Sequence, residues 1–255
     1  SDGRYLSFVD WETGDLAVRD LTTSQNRRLT NKGSWDKSGE FAESSVFSPD
    51  GRQLAYSWFD GKKGYELRIM SPIDSKPRGL LARPWIGLAD WSADGNRIAI
   101  MISVSNKQHD ISLVSVSDGS VQMVKSLGRR IPGKACFSPD GRYLAYSRPG
   151  DAVQESDVYL FDVRSGTESI LVQHPADDAV VAWTSDGSGL LFSSDRRNST
   201  DLWFLPIRDG KTTGEPRLVK TDFGHATPIG ITRDGSLYYG IHSSSSDFYG
   251  ASIDL

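Results

Sequence analysis

A Ser/Thr-x-Asp-Gly tetrad, preceded by a large apolar residue and followed by alternating apolar residues, recurs at near-constant spacing along the chain. Ser48-Pro49-Asp50-Gly51-Arg52-Gln53-Leu54-Ala55-Tyr56-Ser57 returns as Ser138-Pro139-Asp140-Gly141-Arg142-Tyr143-Leu144-Ala145-Tyr146-Ser147. Looser copies are Ser92-Ala93-Asp94-Gly95, Thr184-Ser185-Asp186-Gly187 and Thr232-Arg233-Asp234-Gly235, and Ser1-Asp2-Gly3 opens the series. The six aspartates lie 48, 44, 46, 46 and 48 residues apart. A period of this size confines the chain to a row of supersecondary units, either radial β-sheets or helical pairs.

The local pattern decides for strands. Phe47, Trp91, Phe137, Trp183 and Ile231 stand three residues before an Asp. After each Asp-Gly comes an alternating pair: Leu6/Phe8, Leu54/Tyr56, Ile98/Ile100, Leu144/Tyr146 and Leu190/Phe192, with Leu237/Tyr239 one residue early. A third alternation follows in Leu16/Val18, Leu67/Ile69, Ile111/Leu113, Val158/Leu160 and Leu202/Phe204, and runs such as Leu80-Leu81 or Leu218-Val219 make a fourth. Period two is the strand period, and Asp-Gly between two such runs is a hairpin signal. Each unit therefore reads as a four-stranded antiparallel meander, A to D. One meander cannot bury both faces, whereas radial packing of several can. The expected fold is all-β, a six-bladed β-propeller of four-stranded antiparallel blades, with residues 1–255 as a single domain. The chain reads B-C-D, four full blades, then A-B-C. Both ends fall inside a blade, so the expectation is a propeller excised from a longer protein.

The chemistry that this sequence offers is narrow. Cys136 is the only cysteine, so no intrachain disulfide forms. The N-terminus is not a signal peptide, and no apolar run reaches transmembrane length. A net charge of -4 with interspersed signs gives nucleic acid no basic surface. No G-x-S-x-G elbow occurs. Gly128-Arg129-Arg130-Ile131-Pro132-Gly133-Lys134 has P-loop spacing, but Ala135 follows where Ser or Thr would hold Mg²⁺, and a strand follows where a helix is needed. The four histidines lack short ligand spacing. The reading assigns no catalytic residue, no cofactor and no metal.

A meander places A–B and C–D turns on one rim and B–C and D–A loops on the other. The second rim is the variable one, where a scaffold carries function. His109 and His242 fall there in B–C loops, and His174 and His225 in D–A loops. Trp11, Trp35, Trp58 and Trp85 join them, with Arg129, Arg130, Arg196, Arg197 and the acids Asp36, Asp151, Asp177, Asp178 and Asp195. Trp and Arg are enriched at binding hot spots. The candidate partner-binding set is Trp11, Trp35, Trp58, Trp85, Arg129, Arg130, His174, Arg196, Arg197, His225 and His242. The expected partner is a protein or peptide, without nucleic acid or membrane insertion. The competing reading is that polar loops and tryptophans merely cover the blade ends. An acid opens strand C in every unit (Asp15, Glu66, Asp110, Asp157, Asp201, Asp247). A repeated hydrogen bond to backbone N–H groups explains that better than a ring of cation-binding carboxylates.

The Ser-Pro-Asp-Gly-Arg-x-Leu-Ala-Tyr-Ser motif resembles the repeat of TolB-like propellers, which are related in architecture to WD-repeat proteins. The resemblance covers essentially the whole chain. It implies a bacterial, periplasmic or exported protein that acts as a non-catalytic interaction module. The alternative it implies is an accessory propeller that gates or docks substrate for a serine-peptidase-like hydrolase. It brings no catalytic residue onto this sequence.

Overall fold

The computed structural model describes residues 3–73, 76–105, 108–129, 133–149, 155–224 and 226–241. Among these residues the strands form six antiparallel sheets in chain order. The first holds β1 (Tyr5–Asp10), β2 (Asp15–Asp20) and β3 (Gln25–Arg28). The second holds β4 (Phe41–Phe47), β5 (Leu54–Phe59), β6 (Tyr65–Met70) and β7 (Arg78–Arg83). The third holds β8 (Trp85–Trp91), β9 (Arg97–Ser105), β10 (Gln108–Ser115) and β11 (Val121–Ser126), and the fourth β12 (Ala135–Phe137), β13 (Tyr143–Pro149), β14 (Ser156–Asp162) and β15 (Thr167–Val172). The fifth adds a short fifth strand: β16 (Asp178–Trp183), β17 (Gly189–Ser194), β18 (Asp201–Arg208), β19 (Lys211–Thr212) and β20 (Arg217–Lys220). The sixth holds β21 (Thr227–Ile231) and β22 (Leu237–Gly240). The expected strand C of the sixth unit, opening at Asp247, lies outside the described residues.

The repeated tetrad builds the same turn each time. In all five described copies the Asp carboxylate accepts the N–H two residues on, from Arg52, Asn96, Arg142, Ser188 and Ser236. The Ser or Thr oxygen accepts an N–H at the far end of the turn, as Ser48 does from Gln53 and Ser138 from Tyr143, both at 2.9 Å. The Ser48, Ser92, Ser138 and Thr232 hydroxyls in turn donate to the Asp. The Gly residues take φ between +71° and +88°, where a Cβ is strained. Irregularities repeat too. The A–B ladder shifts register near the same place in the second, third, fifth and sixth sheets, and the C–D ladder near the same place in four sheets. Such bulges add the local twist that a radial sheet needs.

The sheets stand around a centre. Inner strands β4, β8, β12, β16 and β21 are successive neighbours, and β1 neighbours β4. Two pairs of consecutive turns also touch. A Cβ on Gly141 would lie 3.8 Å from Ala93 Cβ, and one on Gly187 3.7 Å from Pro139 Cδ. The same contact joins the ends, where a Cβ on Gly3 would lie 2.7 Å from Thr232 Cγ2. The first sheet is thus adjacent to the sixth, and the ring returns on itself.

The apolar core lies between sheets. Five clusters of buried side chains each join two consecutive sheets: Leu16 with Leu54, Ile69 with Ile98, Leu113 with Leu144, Leu160 with Leu190, and Leu202 with the half-buried Leu237. The pair after each Asp-Gly reports how complete its sheet is. Leu54/Tyr56, Ile98/Ile100, Leu144/Tyr146 and Leu190/Phe192 are all 0% exposed, whereas Leu6 and Phe8 are only half-buried. This contrast predicts that Leu190→Ala lowers stability by about 2–5 kcal/mol. Leu6→Ala, at the equivalent position, costs clearly less. Urea unfolding of the two variants makes the comparison, and equal losses would contradict it.

Candidate functional site

The B–C/D–A rim carries a row of aromatic rings across the first two sheets. Trp11, in the β1–β2 turn, is 78% exposed. It stacks on Trp35 with centroids 5.9 Å apart and planes 12° apart. Trp35 Nε1 donates to the Trp11 carbonyl at 2.8 Å, which fixes the stack. Trp35, 36% exposed, lies 4.8 Å from Phe41, and Phe41, Phe59 and Tyr65 continue the row at 5.0–6.3 Å. An exposed ring on a hydrogen-bonded base offers rigid apolar area at low entropic cost.

The other predicted rim residues do not join this row. Trp58 is corrected: it lies inside β5, is 1% exposed, and its Nε1 donates to Glu40 Oε2. It is the second apolar partner of Tyr56 in the core, so it cannot meet a ligand. Arg196 is engaged internally. Its Nη2 donates to buried Asp178 at 2.9 Å, its Nε donates to Ser194 at 2.8 Å, and its guanidinium covers Trp203. Burial is the main cause that raises the Asp178 carboxyl above its usual range, against Ser194 and Arg196. Trp85 is half-buried at the start of β8, edge-on to His109. Arg129, His174 and Arg197 are exposed, on the third, fourth and fifth sheets. Asp36, Asp177 and Asp195 are exposed as well. Arg130, His225, His242 and Asp151 lie outside the described residues.

Three of the five described acids of strand C, Asp15, Asp157 and Asp201, accept backbone N–H groups. Asp15 accepts from the Thr30 hydroxyl at 2.7 Å and from the Lys32 and Gly33 N–H groups at 3.0 and 2.8 Å. Gly33 is required there, since a Cβ would sit 2.6 Å from the Asp15 nitrogen. Asp201 accepts from the Asp222 N–H at 3.0 Å, and Asp157 from the His174 N–H at 3.4 Å. Each clamps the loop that leaves strand D of its own sheet. Glu66 differs and pairs with Arg68 at 2.6 Å. Among the described residues no cluster of His, Cys, Asp and Glu is arranged to hold a metal.

Sequence reasoning did not name the residues that line the centre of the ring. A cavity of about 570 Å³ is bounded there by Val46, Asp90, Cys136, Ala182 and Gly230, each the residue before its strand's large apolar anchor. It reaches Pro49, Ala93 and Pro139, so it opens toward the Asp-Gly turns, the rim that looked purely structural. Asp90 accepts from the Phe137 and Trp91 N–H groups, both at 2.8 Å. Lys134, from the failed P-loop pattern, donates to the Pro228 carbonyl at 3.1 Å and so ties the fourth sheet to the sixth. Burial pushes the Lys134 amine down and the Cys136 thiol up to about 12, so Cys136 is a neutral thiol and not a nucleophile. The available signal was Asp90 itself, a lone charge in an apolar strand.

Sheets radiating from a central cavity define a β-propeller. The chain belongs to the TolB beta propeller domain family, whose profile matches residues 59–246. In structure it is similar to a putative TolB from Agrobacterium tumefaciens, with a TM-score of 0.71 and 15% identity over 93% of this chain and 85% of that one. In sequence it is 26% identical over 159 residues to "Uncharacterized peptidase YuxL" of Bacillus subtilis, covering 61% of this chain and 22% of the peptidase. It is also 26% identical over 199 residues to "Uncharacterized protein Atu1656" of Agrobacterium fabrum, covering 75% of this chain and 64% of that protein. The chain thus spans less than two thirds of either relative's length.

Burial, opposed by the Phe137 and Trp91 amides and by Lys134, raises the Asp90 carboxyl to about 6. The unfolded value is about 3.9, so the folded state binds the proton more tightly. Stability from this group is full below the unfolded value and is lost as pH rises through about 6. Asp90→Asn is expected to flatten the fall in thermal stability between about pH 4 and 6. Identical pH slopes for the variant and the wild type would contradict the assignment.

Proposed function

We propose that this propeller is a non-catalytic binding module, a single domain of six blades, whose B–C/D–A rim holds a protein or peptide partner. The observation that carries the reading is the Trp11–Trp35 stack, an exposed large apolar surface held rigid by its own hydrogen bond. Isolated exposed apolar residues are ordinary, but a contiguous row running into Phe41 and Tyr65 has the character of a hot spot. Arg129, His174 and Arg197 supply exposed polar groups on other sheets of the same rim. Membership of the TolB beta propeller domain family agrees with a role in binding.

A second reading makes the propeller the accessory domain of a larger hydrolase, where it gates or docks substrate. The likeness to part of a protein named as a peptidase favours it, since this chain covers 22% of that relative. A serine-hydrolase activity probe on the full-length polypeptide separates the two readings, because labelling supports the accessory role.

The rim reading is tested with peptides selected from a displayed library on the wild-type protein. Trp11→Ala and Trp35→Ala are each expected to weaken the selected peptides by about thirtyfold, the loss typical of a hot-spot aromatic. Selected peptides indifferent to both substitutions would sink the rim as the binding face.

A further inference from the structure

We propose that the third sheet holds a second binding site, a polar cleft on the rim of the Asp-Gly turns that takes a small hydroxylated molecule carrying an oxyanion. The site lies at a corner where two consecutive sheets meet and where the closures used at other corners fail. Arg27 of β3 donates to the Pro72 carbonyl at 2.9 Å, and Arg78 of β7 donates to the Val116 carbonyl at 2.7 Å. Each arginine thus clasps the C–D turn of the next sheet. Arg27 stands opposite Val18 and Arg78 opposite Ile69. The equivalent residue of the third sheet is Gln122, opposite Leu113. The equivalent carbonyl is that of Val163, which follows Leu160 by three residues as Pro72 follows Ile69 and Val116 follows Leu113. Among the described residues no hydrogen bond joins Gln122 to that turn.

A second closure is missing at the same corner. A Cβ on Gly119, in the third C–D turn, would collide with the Leu80 carbonyl of the second sheet. One on Gly210, in the fifth turn, would lie 2.7 Å from the Tyr143 ring of the fourth sheet. One on Gly166, at the same place in the fourth turn, would meet nothing within 4 Å. The three glycines share a φ of +73° to +74°, so the turns have one shape and only their approach differs. The third and fourth sheets still meet further along, where Lys125 pairs with Glu168 at 2.5 Å.

At this corner stands a cleft of about 370 Å³, in the range of small-molecule pockets, about 300–1,000 Å³. Leu113 contributes apolar lining, and Arg97, Ser115, Ser117, Ser120 and Gln122 contribute polar groups. All come from β9 to β11 and their turns, inside one four-stranded sheet and far along the chain from the first and sixth sheets. Arg97 faces Ser115 across β9 and β10, and the Ser115 N–H bonds the Ser120 carbonyl, so one row crosses three strands. Among the described residues the Arg97 guanidinium forms no salt bridge. The acids of the two flanking turns are engaged within those turns. Asp94 accepts from Ser92 and Asn96, and Asp118 accepts from the Ser120 N–H and hydroxyl. A guanidinium presents paired N–H donors that match the oxygens of a carboxylate or phosphate. The surrounding hydroxyls and the Gln122 amide both donate and accept, which suits a ligand with hydroxyl groups of its own. The cleft shares no residue with the Trp11–Trp35 row and lies on the opposite rim, so the two sites stand or fall separately.

The test titrates glucose-6-phosphate, gluconate, glucose and inorganic phosphate into the isotope-labelled protein and follows its amide signals. Saturable shifts are expected at Arg97, Ser115, Ser117, Ser120 and Gln122 with glucose-6-phosphate or gluconate, and the tighter of the two identifies phosphate or carboxylate as the preferred anion. Glucose, which lacks the anion, is expected to bind at least about tenfold more weakly, and Arg97→Gln to weaken the anionic probes by about tenfold. If Arg97→Gln does not fold, the comparison with glucose on the unmodified protein still decides. No saturable shift at these residues with either anionic probe overturns the proposal. Equal binding of glucose, or of the anionic probes to Arg97→Gln, overturns it too. Inorganic phosphate that binds as tightly as glucose-6-phosphate also overturns it, because the hydroxyl lining would then take no part.

Discussion

The hydrogen-bonded Ser/Thr-x-Asp-Gly turn is the constraint on which the rest of the molecule depends. The carboxylate and the hydroxyl together satisfy two N–H groups that would otherwise be left bare where the chain reverses. The reversal sets the register of strands A and B, and register decides which side chains face the neighbouring sheet. Leu54, Ile98, Leu144 and Leu190 follow the same turn and are all fully buried between complete sheets. The inner strands that these turns end are successive neighbours, so a local motif becomes a ring. A local rule repeated along the chain places a central cavity without any long-range signal in the sequence.

The two rims have different characters. Carboxylates do structural work on both. On one rim they cap the Asp-Gly turns, and on the other Asp15, Asp157 and Asp201 clamp the loops leaving strand D. The loop rim also carries the exposed aromatic surface of Trp11 and Trp35. The Cys136 thiol at the centre is held protonated by burial.

Much of the fold was legible, because strand period and turn chemistry are local. The pairs Leu54/Tyr56 and Leu144/Tyr146 and the glycines of the turns sit where their pattern puts them. The site was less legible, since loops were ranked by residue type and exposure is a property of the packed sheet. Trp58 shows the error. By sequence it lies just before a loop, but it follows Tyr56 by two residues and so continues the buried face of β5. Phe41, Phe59 and Tyr65 were overlooked because rings from three strands meet only after folding. Asp90 and Lys134 come from different units, and their shared cavity exists only once the ring is built.

The most direct test of the turn's role is to replace its aspartate by alanine, one copy at a time, at Asp50, Asp94, Asp140, Asp186 and Asp234. The urea midpoint and the binding of rim-selected peptides are then measured for each variant. The account predicts a lower midpoint in every variant, with peptide affinity unchanged wherever the protein remains folded. Unchanged midpoints accompanied by lost binding would show that the repeated acid belongs to a recognition surface and not to the frame.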